Sequence, residues 1–442
     1  MLALGCSEPA RSPRWNLVLI TLDTTRADGL SLLGGVEGAT PNLDALGARS
    51  VVFDVAYSET NVTNPSHLSI MTGMGSLRHG VTSNFARLPD GLDSLAEGLA
   101  RAGYATAGFV AAQPLGRAFG WKGFDTLPEV AGVLDAAEVT RRALDWLGGP
   151  REQPFFMWVH YWNPHTLYEP PDEVFEQFYQ GDPTAGDGPP IAAAPFFERA
   201  THFGVGERLK RWLGDVRDPA WARAKYTAEL HYTDRELGRL LGGLESSGLA
   251  RDTVIVVTAD HGESLGEHGI YYAHVGVYDE VLRIPLLVRV PGLLPGRSAL
   301  PVWTLDIAPT VAELLGVELQ HAVDGLSLVS ALRGEPDEAL QQRRRFVHPH
   351  ASNRAVAIRE GRWKLIWPVE RNDHVLGSQV ELFDLSEDPA EQRNLAEDHP
   401  EVVERLRVAI EPWVRAGRSD PTVKPRLDPG IREQLEALGY AE

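Results

Sequence analysis

Cysteine is nearly absent from this sequence, because Cys6 is the only one among 442 residues. A single cysteine excludes an internal disulfide, a thiolate zinc site and an iron–sulfur cluster. Long apolar runs are also lacking, and no stretch approaches the ~20 apolar residues of a membrane-spanning helix. The sequence therefore predicts neither a disulfide-stabilised protein nor a helical membrane protein.

Positive charge is scarce as well. There are 42 Lys and Arg residues against 61 Asp and Glu residues, which gives a formal net charge of −19 and a pI of about 5.2. A basic surface that follows a phosphate backbone is not expected, so we predict no nucleic-acid partner. The rest of the composition, 43% hydrophobic and 23% charged, is that of a globular protein with a large core.

The first residues, MLALGCSEPARSP, place Cys6 between a short run of small and apolar residues and a polar segment that contains proline. This arrangement is similar to the end of a bacterial lipoprotein signal, although its apolar run is shorter than the about 7–15 residues of a signal peptide. We expect residues 1–14 to form an N-terminal tail with a lipid anchor on Cys6. Export to the bacterial periplasm or cell envelope would follow, with a cytoplasmic location as the alternative.

Five short apolar runs, rich in β-branched or aromatic residues, predict buried strands. They cover residues 16–22, 105–112, 154–162, 253–259 and 284–290, and helical patterns alternate with them at 92–103, 135–149 and 224–248. Strands that are apolar on both faces and alternate with helices are typical of a parallel sheet. The predicted fold class is therefore α/β, with a mixed, mostly parallel sheet between helices.

Two regions depart from this alternation. Between about 180 and 220 the pattern lapses, which predicts an inserted loop or lid over one end of the sheet. After about residue 340, short strand patterns precede a helical segment, which predicts a small C-terminal antiparallel α+β subdomain. We expect a main domain over residues 15–340 and this subdomain over residues 341–442.

Polar side chains follow the predicted strands at the sheet edge where open α/β sheets bind ligands. Asp23 comes after the first strand, His165 after the third, and Asp260 and His261 after the fourth. Two carboxylates and a neutral imidazole beside a hydroxyl are suitable ligands for a divalent metal ion. His160, inside the third run, is expected to stand behind the ligands.

The hydroxyl comes from NVTNPSHLSIMTG, residues 61–73, which has the pattern of a helix start with Pro65 at the first helical position. Thr63 has two interpretations there. It can cap the helix, or it can complete the metal site, because the free N–H groups and dipole of a helix N-terminus favour an anion. His274, in the glycine-punctuated segment 258–285, is a further imidazole within reach of the same cleft, whereas His268 is expected to be structural.

Several motifs together resemble the sulfatase family of the alkaline phosphatase superfamily, in the family's order and from about residue 15 to 410. They include PSHLSIMTG, HYWNPHTLYEPP, TADHGESLGEHG, YDEVLRIPLLV, GRWKLI and ELFDLSEDPAEQRNLAE. The resemblance implies a large mixed α/β sheet with a C-terminal four-stranded antiparallel subdomain. It also implies site roles: metal ligation by Asp23, Asp260 and His261, the nucleophile position for Thr63, and contact with substrate oxygens or protonation of the leaving group by His165 and His274.

The nucleophile segment departs from the family signature of Cys or Ser, any residue, Pro, any residue, Arg. Here these positions hold Thr63, Asn64, Pro65, Ser66 and His67. A sulfatase oxidises its Cys or Ser to formylglycine, but oxidation of threonine would give a ketone. We therefore expect Thr63 to stay a secondary alcohol, as in the superfamily's phosphodiesterases and phosphoethanolamine transferases, which this arrangement resembles.

Thr24 is a second departure, because many sulfatases carry there another Asp that helps to hold calcium. Losing a carboxylate while keeping His261 shifts the expected ion towards Zn²⁺ or Mn²⁺, with Ca²⁺ or Mg²⁺ as alternatives. The predicted function is a metal-dependent hydrolase of sulfate or phosphate esters, borne by small molecules, glycans or lipids, with Thr63 as nucleophile. The alternatives are a phosphoethanolamine-like transferase and a catalytically silent binding protein of the same shape.

Overall fold

The computed structural model describes residues 15–200, 206–347, 355–369 and 379–419. The tail with Cys6 lies outside these residues, so its lipid anchor stays a prediction. Within the described ranges, no helix combines the length and the apolar character that crossing a membrane requires.

The main domain is built on an eight-stranded sheet with the order β10-β2-β8-β5-β1-β4-β3, and β9 pairs with β2. A separate two-stranded ribbon, β6 and β7, follows β5. The strands are β1 Asn16–Leu22, β2 Val51–Tyr57, β3 Ala105–Val110, β4 Phe155–Tyr161, β5 Thr253–Ala259, β6 Ser264–Leu265, β7 Tyr271–Ala273, β8 Arg283–Arg289, β9 Gly296–Ser298 and β10 Val302–Trp303.

The predicted mixed, mostly parallel sheet is confirmed. β5, β1, β4 and β3 run parallel to one another, whereas β8 is antiparallel to both β5 and β2. Every residue of β1, β4 and β5 is buried. Helices cover both faces, which explains why these strands have continuous apolar sequences.

Most of the helices connect the strands of the main domain. They are α1 Pro41–Gly47, α2 Thr63–Thr72, α3 Ser76–His79, α4 Leu95–Arg101, α5 Ala136–Leu147, α6 Asp172–Phe175, α7 Pro195–Ala200, α8 Gly206–Leu213, α9 Pro219–Ser246, α10 Asp279–Leu282, α11 Ile307–Leu315, α12 Val329–Leu332 and α13 Glu338–Gln342. α9 is the longest at 28 residues and starts with the favourable pair of Asp218 as N-cap and Pro219 at the first position. The region predicted as an insertion, 180–220, contains the short helices α7 and α8.

In its described residues, the C-terminal subdomain is a four-stranded antiparallel sheet with one helix, as predicted. Its elements are β11 Arg345–Val347, β12 Ala355–Glu360, β13 Trp363–Pro368, β14 Glu381–Asp384 and α14 Pro400–Ser419. Val356, Ile358 and Leu365 of the sheet share one buried cluster with Leu406 and Ile410 of α14. This packing gives the subdomain an apolar core of its own.

A buried ion-pair cluster joins the subdomain to the main domain. The Lys364 ammonium lies 2.7 Å from carboxylate oxygens of both Asp279 and Glu391. His268 stacks on Tyr278 at 3.8 Å in the same region, and the ligand atoms of His268, Glu280 and Glu391 lie within 4.8 Å of one another. Because the Lys364 ammonium already supplies a positive charge here, we assign the cluster to the domain junction.

Candidate functional site

Asp23 and Asp260 leave the sheet side by side. Each follows the last residue of its strand, and the parallel strands β1 and β5 pair Leu22 with Ala259. The ligand atoms of Asp23, Asp260 and His261 all lie within 4.8 Å of one another, and all three residues are fully buried. The predicted metal ligands are thus brought together at the carboxyl edge of the sheet.

The hydrogen bonds at this edge leave several electron-rich atoms without a donor. Asp260 Oδ1 accepts the backbone N–H groups of Thr24, at 3.2 Å, and His261, at 2.8 Å. His261 Nδ1 lies 3.0 Å from the Gly262 carbonyl, which only accepts, so Nδ1 carries the proton and Nε2 the lone pair. Among the described residues, His261 Nε2, Asp260 Oδ2 and both Asp23 oxygens have no hydrogen-bond partner.

The electrostatics of the site also fit a cation. Burial raises the pKa of Asp23 well above its usual range, and the neighbouring charges of Asp260 and Glu263 add to this effect. Burial likewise raises the pKa of Asp260 to about 6 and lowers the pKa of His261 to about 4. Two desolvated carboxylates and a neutral imidazole with a free lone pair are a donor set that a divalent metal ion would satisfy.

Thr63 is the first residue of α2, and it does not act as a cap. The N-cap position belongs to Val62, and the buried Thr63 hydroxyl has no hydrogen-bond partner among the described residues. A different side chain caps the first turn, because Asn84 Oδ1 accepts the N–H of Asn64 at 2.7 Å. The prediction that Pro65 is the first helical residue is wrong, because Pro65 is the third.

The first turn of α2 is attached directly to the metal-ligand candidates. Ser66 Oγ donates to the Asp260 carbonyl oxygen at 2.7 Å. His67 Nδ1 lies 2.7 Å from the Thr63 carbonyl oxygen and 3.8 Å from Asp260 Oδ2. These contacts place the Thr63 backbone and the Asp260 carboxylate in one site.

His165 and His274 lie against the same site. The ring of His274 is 4.5 Å from that of His261 and 5.5 Å from that of His165. His165 stacks on Trp162 at 3.9 Å, and its Nδ1 bonds the Thr166 carbonyl at 2.7 Å. Backbone carbonyls also fix His274, whose Nδ1 lies 3.0 Å from the Asn61 oxygen. Since a carbonyl oxygen only accepts, Nδ1 carries a proton in both rings.

Glu263 is a further residue of the site, and sequence reasoning missed it. It is fully buried, burial raises its pKa to about 8, and its Oε2 accepts the hydroxyls of Thr166, at 2.6 Å, and Tyr168, at 3.1 Å. Because the Thr166 carbonyl holds His165, Glu263 connects the metal-ligand loop to that imidazole. The signal was its place two residues after His261 in TADHGE.

Comparison with known families decides the classification. The family model described as Sulfatase matches residues 15–317, and the one described as N-sulphoglucosamine sulphohydrolase, C-terminal, matches residues 266–413. The chain belongs to the sulfatase family. Members of the sulfatase family are metal-dependent. The chain is a sulfuric or phosphoric ester hydrolase, and the acidic cluster just described is its candidate metal site.

Full-length relatives are diverse in what they act on. The chain is 27% identical over 449 residues to a choline-sulfatase of Rhizobium meliloti, covering 89% of this chain and 84% of that protein. It is 25% identical over 467 residues to a Δ4,5-hexuronate-2-O-sulfatase of Bacteroides thetaiotaomicron, covering 94% and 92%. A phosphonate monoester hydrolase of Agrobacterium radiobacter shares the fold, with a TM-score of 0.72, 24% identity, and coverage of 93% and 97%.

Proposed function

We propose that this sulfatase-family protein is a metal-dependent hydrolase of sulfate or phosphate esters in which the Thr63 hydroxyl is the nucleophile. The observation that carries the proposal is that hydroxyl itself. It is buried at the start of α2 and bound to nothing among the described residues, and the helix turn it begins contacts Asp260. If Thr63 served as a cap or a packing residue, its hydroxyl would have a hydrogen-bond partner, and the described residues provide none.

Asp23, Asp260 and His261 would hold one divalent ion, with Thr63 completing the site. When bound there, the ion would lower the pKa of a neighbouring hydroxyl and withdraw charge from the ester oxygens. Zn²⁺ or Mn²⁺ is favoured over Ca²⁺ or Mg²⁺, because one of three ligands is an imidazole and no third carboxylate follows Asp23.

The reaction needs two displacements at the same central atom. The Thr63 hydroxyl gives up its proton as its oxygen attacks sulfur or phosphorus, the bond to the ester oxygen breaks, and that proton passes through Nε2 of His165 or His274 to the leaving oxygen. Water then attacks the sulfur or phosphorus of the threonine ester, and the Thr63 oxygen leaves and regains its proton. Threonine lacks the second hydroxyl with which hydrated formylglycine expels sulfate, so the second displacement cannot be avoided.

This requirement bears on the substrate. Phosphorus accepts two successive in-line displacements readily, whereas a threonine sulfate ester is at risk of stalling. We therefore favour a phosphodiester or a phosphonate ester over an aryl sulfate, carried by a small molecule, glycan or lipid. The region around residues 165–220, which holds α6 to α8, would form the contacts that select among them.

Substitution at the nucleophile tests the proposal. Thr63→Ala should abolish turnover of every ester, whereas Thr63→Ser should keep part of it, since it retains the hydroxyl and loses only a methyl group. Thr72→Ala is the matched control, because Thr72 is a buried threonine on the same helix whose hydroxyl donates to the Leu68 carbonyl at 2.7 Å. The assay is a panel of aryl sulfate, phosphate monoester, phosphodiester and phosphonate esters on metal-reconstituted protein.

Each outcome has a definite meaning. Loss of activity in Thr63→Ala, with activity kept in Thr72→Ala, supports the nucleophile. Full activity in Thr63→Ala would overturn the mechanism. Products in which the phospho-group has moved to an added alcohol, in place of free acid, would identify a transferase instead.

A further inference from the structure

The buried hydroxyl of Thr21, in β1, is shared by three aromatic rings. Thr21 Oγ1 lies 3.0 Å from Trp158 Nε1, 3.0 Å from His67 Nε2 and 3.2 Å from His160 Nδ1. All four residues are fully buried. The parallel pairing of β1 with β4 sets Thr21 opposite His160, so the contact follows from the sheet register.

The chemistry of a hydroxyl constrains how these bonds can run. It has one proton to donate and two lone pairs to accept with, and the Trp158 indole N–H can only donate. One proton and one lone pair then remain for two imidazole nitrogens. One imidazole must therefore accept from Thr21, and the other must donate to it.

The neighbours of His67 decide which ring does which. His67 Nδ1 lies 2.7 Å from the Thr63 carbonyl oxygen, which only accepts, so Nδ1 carries a proton. Both rings are fully buried, where an imidazolium would lose its hydration, and a neutral imidazole has one N–H. His67 Nε2 therefore accepts the Thr21 proton, and His160 donates to Thr21 through Nδ1.

This assignment leaves His160 Nε2 without a proton, and that nitrogen lies 3.5 Å from Asp23 Oδ2. Neither atom has a hydrogen-bond donor among the described residues. A ring of the opposite tautomer would instead offer an N–H to Asp23 and compete with a cation for its oxygen. The Thr21 hydroxyl thus reaches both halves of the candidate site, Thr63 through His67 and Asp23 through His160.

We propose that Thr21 is a positioning residue, whose hydroxyl fixes the orientation and tautomers of His67 and His160 so that Thr63 is held by its backbone and Asp23 keeps its oxygens for the metal ion. The inference rests on the proposed roles of Thr63 and Asp23. It also assigns a role to His67, the histidine that replaces the signature arginine.

Two substitutions separate this role from simple packing. Thr21→Val keeps the shape and removes the hydroxyl, whereas Thr21→Ser keeps the hydroxyl and leaves a methyl-sized gap. If the hydroxyl matters, Mn²⁺ affinity should fall about 10–100-fold in Thr21→Val, the usual effect of losing an outer partner of a metal ligand, and stay close to the parent value in Thr21→Ser. If only packing matters, the order of the two variants reverses.

Affinity would be measured by electron paramagnetic resonance of free Mn²⁺ in a titration of metal-free protein, which does not depend on turnover. A second measurement needs no Thr21 variant. Long-range proton–nitrogen correlations on histidine-labelled, metal-free protein should show both rings protonated on Nδ1, with signals assigned from His67→Gln and His160→Gln. A proton on Nε2 of His160 in the parent protein would overturn the inference.

The two proposals fail separately. Full activity in Thr63→Ala removes the nucleophile and leaves the tautomer result standing. An inactive Thr63→Ala combined with parent-like Mn²⁺ binding in Thr21→Val removes only the role of Thr21.

Discussion

Replacing Asp260 with asparagine should make the metal-free protein more stable than the parent protein and the metal-loaded protein less stable than the parent protein. The substitution is well defined, because Asp260 Oδ1 accepts two backbone N–H groups and an asparagine oxygen can accept the same two. The other oxygen, Oδ2, accepts nothing among the described residues and lies 3.5 Å from His261 Nε2. An amide nitrogen at that position can donate to the lone pair of His261.

The magnitude follows from the pKa of Asp260, which burial raises from 3.8 to about 6. Between these values the native state holds a proton that the unfolded chain has released, so the free energy of unfolding falls as pH rises through this window. A rise in the pKa from 3.8 to about 6 corresponds to about 3 kcal/mol. Asparagine does not ionise, so the variant should escape this loss above pH 6.

A bound metal ion should reverse the order of stability of the two proteins. An ion at about 1,000 times its dissociation constant adds about 4 kcal/mol to the stability of a protein that binds it only when folded. The variant has lost a charged ligand and should gain much less. Urea unfolding, followed by circular dichroism at pH 4.5 and 7.5 in EDTA and in excess Mn²⁺, should show the two stability curves crossing.

Glu59→Gln is the control for this experiment. Glu59 is also buried, with a pKa raised to about 8, but its carboxylate is held by Ser69 and Ser76 and is not part of the cluster of metal-ligand candidates. Its Mn²⁺-dependent gain should equal that of the parent protein. If Asp260→Asn is less stable than the parent in EDTA at pH 7.5 and keeps the full Mn²⁺-dependent gain, Asp260 is not a buried metal ligand.

Three further predictions concern the chemistry. His165→Ala and His274→Ala test the proton donor. In one of the two variants, hydrolysis of an alkyl ester should slow about 100-fold or more and hydrolysis of a nitrophenyl ester far less, since a good leaving group needs little protonation. Equal losses on both esters would contradict that role. The peptide covering residues 50–78 should have its encoded mass, and an aldehyde- or ketone-specific adduct on it would show that Thr63 is modified. Phosphodiester or phosphonate ester turnover should exceed aryl sulfate turnover in one preparation, and steady sulfate release without phosphoesterase activity would disprove the preference.

The central strands could be predicted from sequence because burial on both faces leaves uninterrupted apolar runs. β1 and β5 have the bounds predicted for them, β4 and β8 differ by one residue at each end, and β3 ends two residues earlier. β2 was missed, since Asp54 interrupts its apolar run and its central residues are only half-buried. Local patterns therefore predict strands at the centre of a sheet better than strands with an uneven environment.

The site shows the same limit. Asp23, Asp260 and His261 could be predicted together because parallel strands end at one edge, which is a consequence of topology alone. Whether Thr63 caps its helix could not be predicted, because Asn84, twenty residues after Asn64, supplies the cap. The link from Thr21 to His160 depends on the register between β1 and β4, which neither strand encodes alone.

The two changes in the family signature are physically connected. Position 67 is fully buried against the rings of Trp158 and His160, and Asp260 is the carboxylate in contact with it, at 3.8 Å. A guanidinium there would stay charged and would place a fixed cation beside Asp260. A neutral imidazole instead bonds a hydroxyl and a carbonyl, and leaves the carboxylates free. The substitution of arginine by histidine therefore suits a site in which the charge that activates Thr63 comes from the proposed ion and not from a fixed cation.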